Sequence, residues 1–140
     1  MNSPEETIDF ASEFVKSLKA NTEGATVVCL YGDLGSGKTT FVKSAARTLG
    51  VKDIITSPTF VIEKIYEIEK SGFKRLFHID AYRLEEGAEL LALGWNEIIS
   101  NKENIIFIEW PKYVADVLPQ NRHNLKFTFV DENTRTIDAT

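Results

Sequence analysis

At 140 residues with 43% hydrophobic content, the chain is sized for one compact domain with a real core, spanning residues 1–140, and has little room for a second. Sixteen basic side chains against twenty-one acidic ones give a formal charge of −5, with the basic residues scattered along the sequence. That balance argues against a protein that grips nucleic acid alone through a broad basic face, and leaves open a composite surface shared with a partner.

The first element is helical. Ser3-Pro4-Glu5-Glu6 has the form of a capping box with proline at the first helical position, and Ile8, Ala11, Phe14, Val15 and Leu18 then make one apolar stripe. Packing of that stripe on the domain's own sheet is the simpler expectation, a partner-binding face the other. Ala25 to Tyr31 is a short β-rich run of the kind that becomes a buried parallel strand, and Cys29 within it is expected to be a small buried hydrophobe. A lone cysteine permits no disulfide within the chain, and with only His78 and His123 beside it a zinc site is not expected. No apolar stretch approaches the ~20 residues that span a bilayer, and Met1 to Glu6 lacks a basic region followed by an apolar one, so a reduced, cytoplasmic setting is the default expectation.

Directly after the strand, Gly32-Asp33-Leu34-Gly35-Ser36-Gly37-Lys38-Thr39 matches the phosphate-binding pattern GxxxxGK[ST] in full. Thr39 to Leu49 follows with Phe41, Val42, Ala45, Ala46 and Leu49 near helical spacing and Gly50 as a C-terminal cap. Strand, glycine loop and helix thus come in the order a phosphate site requires. Backbone N–H groups close around a polyphosphate only where side chains do not obstruct them, which accounts for Gly32, Gly35 and Gly37, and the helix N-terminus adds partial positive charge. Lys38 then reaches the β/γ-phosphates as a point charge, and the Thr39 hydroxyl can ligate Mg²⁺.

Beyond that helix, Pro58 makes Ser57 extended. Phe60 to Ile68 and Phe73 to Ile79, joined by Lys70-Ser71-Gly72, read as an antiparallel hairpin. Glu85 to Leu93 is helical in pattern and ends at Gly94, with a further short helix around Trp95 to Ile99. Asn104 to Ile108 is a strongly apolar strand. Asn124 to Val130 and Thr134 to Ala139 are two more strands around the acidic turn Asp131-Glu132-Asn133.

Two strands end in carboxylates, Asp80 after Leu76-Phe77-His78-Ile79 and Glu109 after Ile105-Ile106-Phe107-Ile108. Ligands of open α/β sheets bind outside the carboxyl ends of the strands, and P-loop hydrolases hold Mg²⁺ or its water shell with an acid there, opposite the Ser/Thr of the loop. Glu109 is therefore expected in the Mg²⁺ shell with Thr39, and Asp80 orients the attacking water or assists the metal. Thr59, in a proline-restricted loop, stands either as a switch-like threonine or as a turn residue. His78 shares a strand face with Asp80 and reads as a partly buried structural histidine. Trp110 packs on the nucleotide or on core. Arg83 is open between charge stabilisation on a transferring phosphoryl group, a salt bridge to a partner and an ordinary surface role.

Taken together, GDLGSGKTT at Gly32 to Thr40, SPTF at Ser57 to Phe60, HIDAYRL at His78 to Leu84, ELLALGWNEII at Glu89 to Ile99 and IEWP at Ile108 to Pro111 closely resemble the bacterial TsaE family, in order and over more than half the chain. The glycine loop alone is generic; HIDAYRL and IEWP at these distances make the resemblance specific. Ser36 stands where the family commonly has alanine, a small-for-small change. The resemblance implies a P-loop NTPase-like α/β fold, with a central mostly parallel sheet, flanking helices and antiparallel hairpin strands. It implies an ATPase, weak alone, that binds ATP and Mg²⁺ and supports a transferase of TsaB- and TsaD-type subunits. That complex places a threonylcarbamoyl group on adenosine 37 of tRNAs reading ANN codons, so tRNA would be met only indirectly and a membrane not at all. By the family pattern Lys38 and Thr39 contact phosphate and Mg²⁺, Thr40 and Thr59 line the site, and Asp80, Glu109 and Trp110 complete it. A small-molecule kinase and a nucleotide-binding regulatory module that does not hydrolyse are the alternatives. The first would need an acceptor pocket and cationic lid that the sequence does not display.

Overall fold

In a computed structural model describing residues 4–20, 23–32, 37–52, 63–131 and 134–140, the chain folds around a six-stranded sheet. The elements in chain order are helix α1 (Pro4–Ser17), β1 (Thr26–Tyr31), α2 (Lys38–Thr48), β2 (Glu63–Lys70), β3 (Phe73–Asp80), α3 (Gly87–Leu91), α4 (Trp95–Ser100), β4 (Asn104–Glu109), a 3₁₀ segment (Pro111–Val117), β5 (His123–Asp131) and β6 (Thr134–Ala139). The strands lie in the order β2-β3-β4-β1-β5-β6. The pairs β3–β4, β4–β1 and β1–β5 are parallel, and the outer pairs β2–β3 and β5–β6 are antiparallel. This is the expected α/β plan: a parallel centre edged by two hairpins.

The parallel centre is buried on both faces because both faces carry apolar side chains. On one side Val28, Leu30, Leu76, Ile105, Phe107 and Leu125 pack with α1 and α2; on the other Val27, Cys29, Phe77, Ile79, Ile106 and Ile108 pack with Leu90, Trp95 and Val114. Strands of this kind read as continuous apolar runs rather than alternating ones, as β1 and β4 do. Burial pushes the Cys29 thiol up to about 12, against a small opposing pull from Arg122, so it stays a neutral core group. Most of the expected stripe is spent on the domain itself, while Ile8 at its start stays 44% exposed. Its Ala11, Val15 and Leu18 are buried against α2 and the sheet, and Phe10 and Phe14 stack around Phe41, whose ring also meets Phe107 and Phe127 edge-on.

Several boundaries differ from the sequence reading. The helix expected over Glu85 to Leu93 is only Gly87–Leu91, because Glu89 turns back to the backbone N–H groups of Glu85 and Glu86 and caps the chain there. A Cβ on Gly87 would lie 2.5 Å from the Val117 side chain, so the approach of α3 to the 3₁₀ segment requires glycine. The sequence reading assigned no element to Pro111–Val117; the visible signal was Pro111, which opens it at the first position. Ser3 of the expected capping box, Phe60 to Ile62 of the expected strand, and Glu132 and Asn133 of the acidic turn lie outside the described residues.

Phe41 is fully buried at the meeting point of α1, α2 and the sheet. Phe41→Ala is expected to destabilise the protein by about 3–5 kcal/mol, read from urea unfolding of the two proteins side by side.

Candidate functional site

The order of the strands fixes where chemistry can occur. β1 sits between β4 and β5, which the chain reaches by crossing to either side of it, so a crevice forms outside the carboxyl ends of β1 and β4. Gly32 leaves the sheet at the end of β1, and α2 begins at Lys38 after Gly37, which adopts a left-handed conformation (φ 103°) suited to glycine. Asp33, Leu34, Gly35 and Ser36, and the whole of 53–62 with Thr59, lie outside the described residues. Thr39 and Thr40 stand half-buried in the first turn of α2.

Asp80 and Glu109 are register partners at the ends of β3 and β4. Neighbouring strands lie about 4.8 Å apart, so the two acids occupy adjacent positions at one edge of the sheet. Their burial differs. Glu109 is 5% exposed, whereas Asp80 is partly open and its Oδ1 accepts the Tyr82 backbone N–H at 3.0 Å. Burial pushes the Asp80 carboxyl above the usual range; the Tyr82 N–H, His78 and Lys38 pull it down, and the Glu109 charge adds to the rise.

Lys38 is buried at 4% exposure. Its Nζ donates to the Gly32 carbonyl at 2.6 Å and lies 3.9 Å from the centre of the Trp110 ring. Trp110 itself is left-handed (φ 59°, ψ 48°), squeezed between Glu109 and a proline that disfavours the helical alternative. Such a conformation costs about 1–3 kcal/mol in a residue other than glycine and recurs at functional sites. Tyr82 packs tilted against the indole at 5.1 Å between ring centres, and Tyr113 and Lys112 also lie near it. Of the two placements open for Trp110, the described residues show it partly in core and partly roofing the loop lysine.

The structure thus gathers Gly32, Gly37, Lys38, Thr39, Thr40, Asp80, Glu109 and Trp110 at one end of the sheet. Arg83 is exposed on the turn after β3. The sequence reading missed one contact at the centre of this group. His78 is not partly buried but 1% exposed, and its Nε2 lies 2.6 Å from Glu109 Oε2. Its face was legible from its spacing to Asp80; its partner was not, because that depends on the β3–β4 register.

Hydroxyl and carboxylate oxygens are hard ligands that suit Mg²⁺, and a buried lysine at a helix N-terminus suits phosphate. Among the described residues no cluster of three or more His, Cys, Asp or Glu is arranged to hold a metal ion. Mg²⁺ is commonly bound by one or two carboxylates with phosphate and water completing its shell, which does not call for such a cluster. On that chemistry the residues fit Mg²⁺ with a nucleotide.

A family model, Threonylcarbamoyl adenosine biosynthesis protein TsaE, matches residues 1–137. The chain belongs to the TsaE family. A tRNA threonylcarbamoyladenosine biosynthesis protein TsaE from Bacillus subtilis is 36% identical over 137 residues, spanning 98% of this chain and 80% of that one. Its namesakes from Aquifex aeolicus and Rickettsia bellii are 36% and 34% identical over 141 residues each, covering 98% and 100% of this chain and 90% and 92% of theirs. A crystal structure of Bacillus subtilis YdiB aligns with a TM-score of 0.71 at 28% identity, over 98% of this chain and 79% of that one. The TsaE match takes in α1 and the β5–β6 hairpin, which lie outside the motifs that first pointed to the family. Among the described residues no helix is long and apolar enough to cross a membrane.

The Asp80 environment gives a pH dependence whose sign is fixed. A carboxyl raised in the folded state binds its proton more tightly there than in the unfolded chain, so its contribution to stability is present at low pH and lost as pH rises through the raised value. Asp80→Asn retains the acceptor for the Tyr82 N–H. Its stability relative to the native chain is expected to improve as pH rises from the ordinary aspartate range to neutrality, measured by urea midpoints; a relative stability that falls over that range contradicts the assignment.

Proposed function

We propose that this TsaE-family chain is a single ATPase domain that binds ATP with Mg²⁺ and supports the threonylcarbamoylation of adenosine 37 in tRNAs reading ANN codons. It acts on a partner transferase of TsaB- and TsaD-type subunits, which themselves meet the tRNA. The observation that carries the chemistry is the in-register pair Asp80 and Glu109 beside the buried loop lysine. The names of the relatives support the pathway.

The contacts of Lys38 include a neutral carbonyl and an aromatic face, both weaker partners for an ammonium than a phosphate oxygen. Exchange of those contacts for β/γ-phosphate oxygens brings the lysine onto the nucleotide without moving its backbone. By the family pattern the Gly32 to Gly37 loop, with Asp33, Leu34, Gly35 and Ser36, would supply backbone donors, and Thr40 and Thr59 would contribute to the same site. Thr39 and Glu109 hold the cation, directly or through water, and Trp110 covers the phosphate end. When bound, Mg²⁺ would supply positive charge that offsets charge developing on the phosphates. Asp80, with a carboxyl fixed by the Tyr82 N–H, accepts a hydrogen bond from the attacking water. Its partial exposure leaves that water a route in.

Turnover is weak without the partner, because no cationic side chain of the described site other than Lys38 is buried at the strand ends to balance the transition state. A reconstituted modification assay under multiple turnover tests the reading. Lys38→Ala and Glu109→Ala are each expected to lower repeated turnover by at least about 100-fold, the scale of removing one charge-stabilising group, with partner binding retained. Full activity in both variants would overturn it.

A further inference from the structure

The described mechanism leaves His78 without a task, although it is one of the most deeply buried polar side chains of the site. It belongs to β3 and Glu109 to β4, so the 2.6 Å contact between Nε2 and Oε2 crosses from strand to strand, from a position two residues before the end of β3 to the last residue of β4. Both side chains are nearly free of water, at 1% and 5% exposure. A core position filled only for its volume would take an apolar residue, like Leu76 and Phe107 on the same face.

The other ring nitrogen is informative. Nδ1 is buried and has no hydrogen-bond partner among the described residues. A proton there would be an orphaned buried donor, which folded proteins rarely tolerate, whereas a bare acceptor lone pair is less rare. The arrangement therefore calls for a proton on Nε2, donating to Glu109 Oε2. That bond occupies one carboxylate oxygen and fixes the plane of the group, leaving Oε1 as the oxygen available to the crevice.

We propose that His78 is a positioning residue for Glu109, holding its carboxylate in the one orientation that presents Oε1 to the Mg²⁺ shell. The proposal rests on the nucleotide reading of the site given above. A residue of this kind touches neither metal nor nucleotide; it removes rotational freedom from a ligand that would otherwise be ordered only on binding.

Two near-isosteric variants of the full chain separate positioning from packing. The amide nitrogen of Gln can occupy the place of Nε2, and that of Asn falls near Nδ1, out of reach of Glu109. Mg²⁺ is titrated calorimetrically into the protein saturated with ADP. His78→Asn is expected to weaken apparent Mg²⁺ affinity by about 10–100-fold, the usual effect of losing a group that orients a metal ligand, with ADP binding in the absence of Mg²⁺ unchanged. His78→Gln is expected to restore most of the loss. Equal Mg²⁺ affinity in the native chain and both variants, or Gln no better than Asn, overturns the proposal.

Nitrogen-15 NMR of the native imidazole gives a reading independent of how the variants fold: a proton on Nε2 supports the proposal and a proton on Nδ1 alone contradicts it. If the native chain binds ADP with no dependence on Mg²⁺, the nucleotide reading of the site falls and this inference with it. Mg²⁺ dependence that His78→Asn leaves intact removes only the inference.

Discussion

A carboxylate almost wholly removed from water closes the end of the central strand β4, and the site is organised around keeping that charge tolerable. Glu109 ends a strand buried along its whole length. Its Oε2 is met by His78, and its register neighbour Asp80 is a second carboxylate. Burying charge without partners costs several kcal/mol, so each group here constrains the next. The Asp80 carboxyl is drawn up by its own burial and by Glu109, and drawn back by Tyr82, His78 and Lys38. Lys38 in turn is caught between Gly32 and Trp110.

The fold explains why these groups meet at one edge. With β1 and β4 covered on both faces, polar side chains have no room along the strands and appear where the chain leaves the layer. The parallel pairing of β3, β4 and β1 brings their carboxyl ends together, so the end of β1, Asp80 and Glu109 converge without a dedicated scaffold. The site is then a strained arrangement: two neighbouring acids, a buried lysine and a left-handed Trp110. Native structures store strain where binding can release it, and a polyanion with a divalent cation compensates each of these charges.

Most of the architecture was legible in sequence because local signals agreed with tertiary ones. The glycine loop between an apolar run and an amphipathic helix, the Ser71-Gly72 hairpin turn, and the apolar run of β4 each carry their own pattern and fall within one to three residues of their observed bounds. Asp80 and Glu109 were visible as strand-terminal acids. Their exact pairing was not, because parallel register is set by packing rather than by any short motif. The same limit hid the His78–Glu109 bond and the seat of Lys38 on Trp110, which join residues 31 and 72 positions apart in sequence. The 3₁₀ segment escaped because Val114 (φ −128°, ψ 22°) interrupts it, leaving no continuous helical period to read.

The central claim is that the loop and the two strand ends form one cation–nucleotide site. Crystals of the protein grown with ADP and Mn²⁺ in place of Mg²⁺ test it through the anomalous signal of the manganese. The account predicts one dominant peak within direct or single-water coordination reach of both the Thr39 hydroxyl and the Glu109 carboxylate. A nucleotide bound in the loop with its metal remote from Glu109 and Asp80 would contradict it.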